Sequence, residues 1–195
     1  MGRRRSDHWT KKAKSQGYAA RSVFKLEELD RRFSLLAGAE RVVDLGCAPG
    51  SWSAYVRKRR PNAALAGVDL KPVPAYPGSF IHGSILELEP LSLQELLGGA
   101  PDIVLSDMAP NTMGNRFTDH VRQIELATCA LEVALSLLVQ GGDFVVKVFD
   151  GEDAPAYMER LRLHFTKVHR LKPRSTRGQS VEFFAVAKSL RASGS

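Results

Sequence analysis

The chain has 195 residues, 44% of them hydrophobic and 25% charged, an ordinary globular composition that suits one domain with a sizeable core. No run of 18 apolar residues occurs, so a membrane span is not expected. The net charge is +7 and is unevenly spread: residues 1–25 hold eight basic groups against Asp7 alone, while the other 170 residues hold 20 basic and 20 acidic groups. A basic arm on a balanced body fits a polyanionic partner, and nucleic acid is the expected one.

Two cysteines, Cys47 and Cys129, stand far apart, which excludes a disulfide scaffold or a zinc ribbon and fits a reducing compartment. The five histidines lack the spacing of a metal site, so no metal is expected. The start, "MGRRRSDHWTKKAKSQGY", has basic residues but no apolar core segment, so a secretory signal is not expected. Its arginines leave mitochondrial import as the alternative to a cytoplasmic location; Asp7 and the lysines weigh for the cytoplasm.

In chain order, "ARSVFKLEELDRRFSLL" has the apolar spacing of an amphipathic helix. "ERVVDLG" reads as a strand meeting a glycine, "SWSAYVRKRRP" as a helix ended near Pro61, "AALAGVDL" and "SFIHGSI" as the second and third strands. "LSLQELLGG" is a helix closed by glycines and "DIVLSDMA" the fourth strand. Residues 119–139 form the longest helix, with Thr118 or Asp119 as cap and Gly141–Gly142 as stop. "DFVVKVF" is a fifth strand, "DAPAYMERLRLHF" a helix, and "KVHRLKP" and "VEFFAVAKS" are late strands that can pair antiparallel.

Strands alternate with helices, and the strands are apolar throughout. The expected fold is α/β: a doubly wound, mostly parallel sheet with helices on both faces. The division is a basic arm over 1–25, a single α/β domain over 26–190 and a tail over 191–195. In such sheets the ligand sits at the carboxyl ends of the strands, so residues there are the candidates.

"VVDLGCAPGSW" joins the first strand to the next helix. Gly46 and Gly50 permit the turn and a close approach of backbone to ligand. The spacing G-x-x-x-G, with Pro49 inside and Asp44 before it, is not a dinucleotide fingerprint. Asp44 suits a ligand with an amino group, such as S-adenosylmethionine. Asp69, ending the second strand, can accept hydrogen bonds from two ribose hydroxyls. Cys47 is read as a small loop residue, and Trp52 as either a cofactor wall or a core residue.

Four ionisable groups interrupt apolar surroundings: Lys25 in the first helix, Asp107 after the fourth strand, Lys147 inside "FVVKVF" and Glu182 in "SVEFFAV". Buried charges are costly unless paired, so the fold is expected to bring them together. For any one of them a plain salt bridge would serve as well; all four at or facing strand ends weigh for an active site.

With "GYAARSVFKL", "VVDLGCAPGSWS", "VDLKP", "SDMAPN", "GGDFVVKVF" and "SVEFFAVA" in place, the sequence resembles the FtsJ/RrmJ family of ribose 2′-O-methyltransferases from about Lys11 to Lys188. The resemblance implies a Rossmann-like methyltransferase fold with a seven-stranded sheet and the last strand antiparallel. It also implies S-adenosylmethionine as cofactor and a uridine of large-subunit ribosomal RNA as target. The family's K-D-K-E tetrad falls on Lys25, Asp107, Lys147 and Glu182, and its cofactor contacts on Gly50, Trp52, Asp69 and Asp107. Where many members carry an acid near the adenine, this chain has Ser84.

On this reading Lys147 directs the hydroxyl, as base or as charged stabiliser, Asp107 orients Lys147, and Glu182 holds it from the other side. Residues 1–25 with Lys167, Arg170, Lys172, Arg174 and Arg177 are the candidates for gripping phosphates. The expected partner is ribosomal RNA within a large-subunit particle, met by a monomer. Transfer RNA, a messenger-RNA cap, or a non-catalytic role in ribosome assembly are the rival readings.

Overall fold

The computed structural model describes residues 8–111, 113–178 and 180–192. The helices are α1 (His8–Ser15), α2 (Val23–Phe33), α3 (Ser51–Arg59), α4 (Pro90–Leu97), α5 (Arg116–Leu137) and α6 (Ala154–His164). The strands are β1 (Arg41–Leu45), β2 (Ala64–Asp69), β3 (Ser79–His82), β4 (Ile103–Ser106), β5 (Asp143–Phe149), β6 (Phe165–Leu171) and β7 (Glu182–Leu190). They form one seven-stranded sheet ordered β3-β2-β1-β4-β5-β7-β6. The pairs from β3 to β5 are parallel, and β7 runs antiparallel to β5 and β6. The fold is the doubly wound α/β arrangement expected, with the antiparallel strand inserted at one end.

Side chains alternate across a strand, and this rule sorts the core into two layers. Val42, Leu65, Ile103, Leu105, Val145, Phe184 and Val186 pack with α1, α2 and α3. Val43, Leu45, Ala66, Val104, Val146, Phe183 and Ala185 pack with α4, α5 and α6. Every strand of the buried middle thus covers both faces, which is why it reads as a continuous apolar run rather than as an alternating one.

Three local features differ from expectation. The segment read as a basic arm contains α1, whose Ala13 is fully buried and whose Trp9 packs on Phe24 at 5.2 Å. Lys25 is the third residue of α2, inside the helix expected over "ARSVFKLEELDRRFSLL". The cap of α5 is Asn115, whose side chain accepts from the amides of Phe117 and Thr118. Asp119 faces back instead and accepts from the amides of Met113 and Gly114, tying down the loop that leaves β4. Among the described residues no helix is long and apolar enough to cross a membrane.

Candidate active site

The parity that builds the core also builds the site. Asp44 shares a face with Val42, Lys147 with Val145, and Glu182 with Phe184 and Val186; Asp107 continues the row of Ile103 and Leu105. All four project toward the α2 side of the sheet at one end of the strands, and α2 lays Lys25 over them. The result is a row of alternating charge. Lys147 Nζ lies 3.0 Å from Asp107 Oδ1 and donates to the Asp107 carbonyl at 2.5 Å. Lys25 Nζ lies 3.8 Å from the same Oδ1 and 2.5 Å from Glu182 Oε1. It also sits over the ring of Phe184, 5.5 Å from its centre. The two lysines are 9% and 5% exposed, so these pairs are formed with little water between them.

Glu182 does not hold Lys147. Lys147 stands opposite Phe184 in the β5–β7 ladder, and Glu182 is the diagonal neighbour, opposite Phe149. Diagonal positions are about 7–8 Å apart. Lys25, arriving from above, takes the carboxylate instead. Among the described residues no ion pair joins Lys147 to Glu182. A second support for Lys147 comes from α5, where buried Gln123 donates to its main-chain carbonyl at 2.8 Å. Nothing in the spacing of the sequence singles out Gln123.

Beside this row lies the glycine loop. Gly46 and Gly50 have φ of +73° and +91°, in the left-handed region that favours glycine. A Cβ on Gly46 would stand 2.3 Å from Met108 Cγ, so that glycine also lets the loop lie against the segment following Asp107. Gly50 caps α3 without a side chain, leaving the first amides of the helix at the loop. Asp44, Gly46, Ala48, Trp52 and Asp107 line one small cleft with Ser22.

The other candidates take defined places. Asp69 ends β2; its Oδ2 accepts from the amide of Ala48 and its Oδ1 from the amide of Lys71, both at 2.8 Å. Each carboxylate oxygen retains a second lone pair for a ligand hydroxyl. Trp52 belongs to the core and to the cleft wall at once: its indole donates to Ser22 O at 2.9 Å and its ring packs on Phe184. Ser84 lies past β3, where its hydroxyl accepts from the amide of Leu86 and caps a short 3-10 turn. Burial pushes the Cys47 thiol well above its usual range, and Asp44 and Asp69 push it further, so it is no nucleophile.

Asp44 carries the clearest sign of a missing partner. It is 1% exposed; Ser53 donates to its Oδ2, while Oδ1 is buried with no hydrogen-bond partner. Burial raises its carboxyl to about 7, the Ser53 hydrogen bond opposing the rise and the charges of Asp107 and Asp69 adding to it. An orphaned acceptor among three acids, beside the N-terminal end of α3, fits a ligand with a cationic amine. Among the described residues no group of His, Cys, Asp and Glu is placed to hold a metal ion.

Residues 18–190 match the family model described as FtsJ-like methyltransferase. The chain belongs to this family. This FtsJ-like methyltransferase is 43% identical over 193 residues to the ribosomal RNA large subunit methyltransferase E of Novosphingobium aromaticivorans, covering 98% of the chain and 87% of that protein. It is 44% identical over 184 residues to the protein of that name from Desulfatibacillum aliphaticivorans, covering 92% of the chain and 88% of the relative. A crystal structure from Plasmodium falciparum, described as a ribosomal RNA methyltransferase, superposes with a TM-score of 0.78 at 29% identity. The match covers 89% of this chain and 98% of that one.

Proposed function

We propose that this methyltransferase modifies a ribose 2′-hydroxyl of large-subunit ribosomal RNA, most specifically of a uridine, with S-adenosylmethionine as methyl donor. The observation that carries the reading is the row Lys147–Asp107–Lys25–Glu182 beside the Gly46–Gly50 loop. When bound, the cofactor supplies an electrophilic methyl group on a sulfonium. Asp44, Gly46, Gly50, Trp52, Asp69, Ser84 and Asp107 are the residues to hold it.

A ribose hydroxyl is a weak nucleophile at neutral pH, so the protein must place its oxygen and receive its proton. Positioning of this kind is worth about 7–11 kcal/mol. Lys147 has three N–H donors, and Asp107 engages two of them through its carbonyl and Oδ1. The third is left for the substrate oxygen, where a positive charge stabilises the developing alkoxide. Oδ2 of Asp107, which has no hydrogen-bond or ion-pair partner among the described residues, accepts the hydrogen bond of the hydroxyl and takes its proton. Lys25, paired with Glu182, approaches the same Oδ1 of Asp107 at 3.8 Å and helps to hold it in place.

The RNA side has a matching charge distribution. Residues 8–60, which include α1, α2 and α3, carry 12 basic and 5 acidic groups. Residues 85–137, which include α4 and α5 on the opposite face, carry 2 basic and 8 acidic groups. Arg21 and Arg177 line a cleft with Lys25 and Glu182, which leads a phosphate backbone to the tetrad. All four members of the tetrad come from one chain, so a monomer suffices. Two free thiols fit the reducing cytoplasm, where large-subunit particles are the expected substrate.

The test is transfer of radiolabelled methyl from S-adenosylmethionine to total RNA and to isolated large subunits, followed by nuclease digestion. The expected product is a 2′-O-methyluridine from the large-subunit RNA, made faster on particles than on naked RNA. A base-methylated nucleoside, or label confined to transfer RNA, overturns the reading.

A further inference from the structure

Behind the glycine loop lies a buried polar chain that ends on Asp44. Ser53, fully buried on α3, is hydrogen-bonded to Asp44 Oδ2 at 2.5 Å and to the Tyr76 hydroxyl at 2.9 Å. A serine has one proton, and an ionised carboxylate only accepts, so once Asp44 is ionised Ser53 donates to it and accepts from Tyr76. The backbone is shaped for this contact. Gly67, in the middle of β2, has no side chain where the tyrosine enters: a Cβ there would stand 2.3 Å from Tyr76 Oη. Three segments of the chain therefore converge to fix one carboxylate oxygen, while the other, Oδ1, is left buried and without a donor.

The groups that face Asp44 do not neutralise it. Asp107 follows β4, Asp69 ends β2, and Cys47 lies in the loop; Arg57 of α3 acts on Tyr76, farther off. Lys25 and Lys147 are engaged with Asp107 and Glu182. No ion pair to Asp44 is formed among the described residues. A buried acceptor with three acidic or weakly acidic neighbours and no cation is held for a cation that comes from outside.

Resting on the reading that S-adenosylmethionine is the methyl donor, we propose that Asp44, fixed by Ser53 and Tyr76, is a proton-exchanging anchor for the cofactor's α-ammonium. Binding is then coupled to the release of a proton. In the free protein the carboxyl is protonated at mildly acid pH, consistent with its elevation to about 7 by burial. An ammonium brought to Oδ1 favours the carboxylate, and the displaced proton goes to solvent. Affinity therefore rises with pH up to about 7 and levels above it. Ser53 and Tyr76 act through Asp44 and are positioning residues.

The experiment is calorimetric titration of the whole protein with S-adenosylmethionine at pH 5.5 to 8.5, in buffers of different ionisation enthalpy, which counts protons. The wild type is expected to release close to one proton per cofactor near pH 6 and to show little release from this group near pH 8.5. Asp44→Asn, which preserves shape, removes the pH-dependent release and weakens binding at pH 8 about tenfold. It also separates this proton from any lost by the cofactor's own amine. Tyr76→Phe keeps the ring and removes the hydroxyl; it raises Kd about threefold and moves the midpoint of release to higher pH, as expected for loss of one supporting hydrogen bond. Binding without proton release at pH 6, or release unchanged in Asp44→Asn, overturns the anchor while leaving the cofactor assignment standing. A wild type that does not bind S-adenosylmethionine at any pH overturns both.

Discussion

Lys147 meets Asp107 twice, through the carboxylate at 3.0 Å and through the main-chain carbonyl at 2.5 Å. The second contact fixes the ammonium against the backbone of the residue that ends the β4 run, so its position does not depend on a side-chain rotamer alone. Lys147→Met keeps the length of the stem and removes the charge. Asp107 is then still within 3.8 Å of Lys25, which limits the damage to folding. Methyl transfer is expected to fall at least about a hundredfold to a thousandfold, the range for loss of a charge-stabilising donor. Cofactor Kd is expected to stay within about threefold, because Lys147 is absent from the cleft that carries the glycine loop. Single-turnover rates and cofactor titration measure the two separately.

Glu182 answers to Lys25, and this makes a second prediction. A charged, poorly hydrated pair is expected to show a coupling of about 1–3 kcal/mol, as for interacting residues in a shared network. A double-mutant cycle on Lys25→Met and Glu182→Gln, read by chemical denaturation, should give a coupling in that range. The cycle on Lys147→Met and Glu182→Gln should give less than half as much. The reverse order contradicts the pairing of Glu182 with Lys25.

Much of this site was legible in the chain. Apolar runs ended by Asp44, Asp69 and Asp107 located the active edge once the sheet was known to be parallel. Strand parity then predicts that Lys147 and Glu182 share a face. Which lysine Glu182 meets was not legible, because that depends on a β5–β7 register in which Lys147 faces Phe184 and on the height at which α2 crosses. The Ser53–Tyr76 contact was hidden for the same reason: it spans 23 residues and is marked only by Gly67, whose need for a missing side chain is a tertiary fact. Helix α1 was masked by its charge. Trp9 and Ala13, four residues apart, were its apolar signal, set among lysines that pointed to a solvated arm.

Asp44 supplies a stability prediction whose sign is opposite to the common one for a carboxylate. Its carboxyl rises from the ordinary 3.8 to about 7 on folding, so between those values the folded state binds more protons than the unfolded state. Asp44 thus leaves stability intact below about pH 4, lowers it progressively as pH rises toward 7, and exerts its full penalty above. Each pH unit across that window is worth about 1.4 kcal/mol at most. Asp44→Asn should therefore raise the melting temperature of the cofactor-free protein at pH 8 by several degrees and change it little at pH 4.5. Thermal scans of both proteins at the two pH values decide it, and equal shifts at both would assign the effect to packing instead.

The segregation of charge between the two sheet faces makes the last prediction. Lys11 and Lys14 are exposed on α1, and exposed Lys58 of α3 reaches over Tyr18, just past α1, 5.9 Å from its ring centre, so all three lie on the α1–α3 side of the sheet. None touches the tetrad or the glycine loop. Replacing them together by Gln removes three phosphate-binding charges without altering the chemistry. RNA affinity is expected to fall, and the slope of log K against log salt to flatten by about 0.7–0.9 for each phosphate that is no longer neutralised. Cofactor Kd and the rate at saturating RNA should hold. On the opposite face, Glu125→Gln with Glu132→Gln removes two exposed negative charges and should leave the slope unchanged, because a surface that the RNA does not touch releases no counterions. Fluorescence anisotropy at several salt concentrations distinguishes the two faces. A flattened slope in the acidic-face variant, with none in the lysine variant, would place the RNA on α4 and α5.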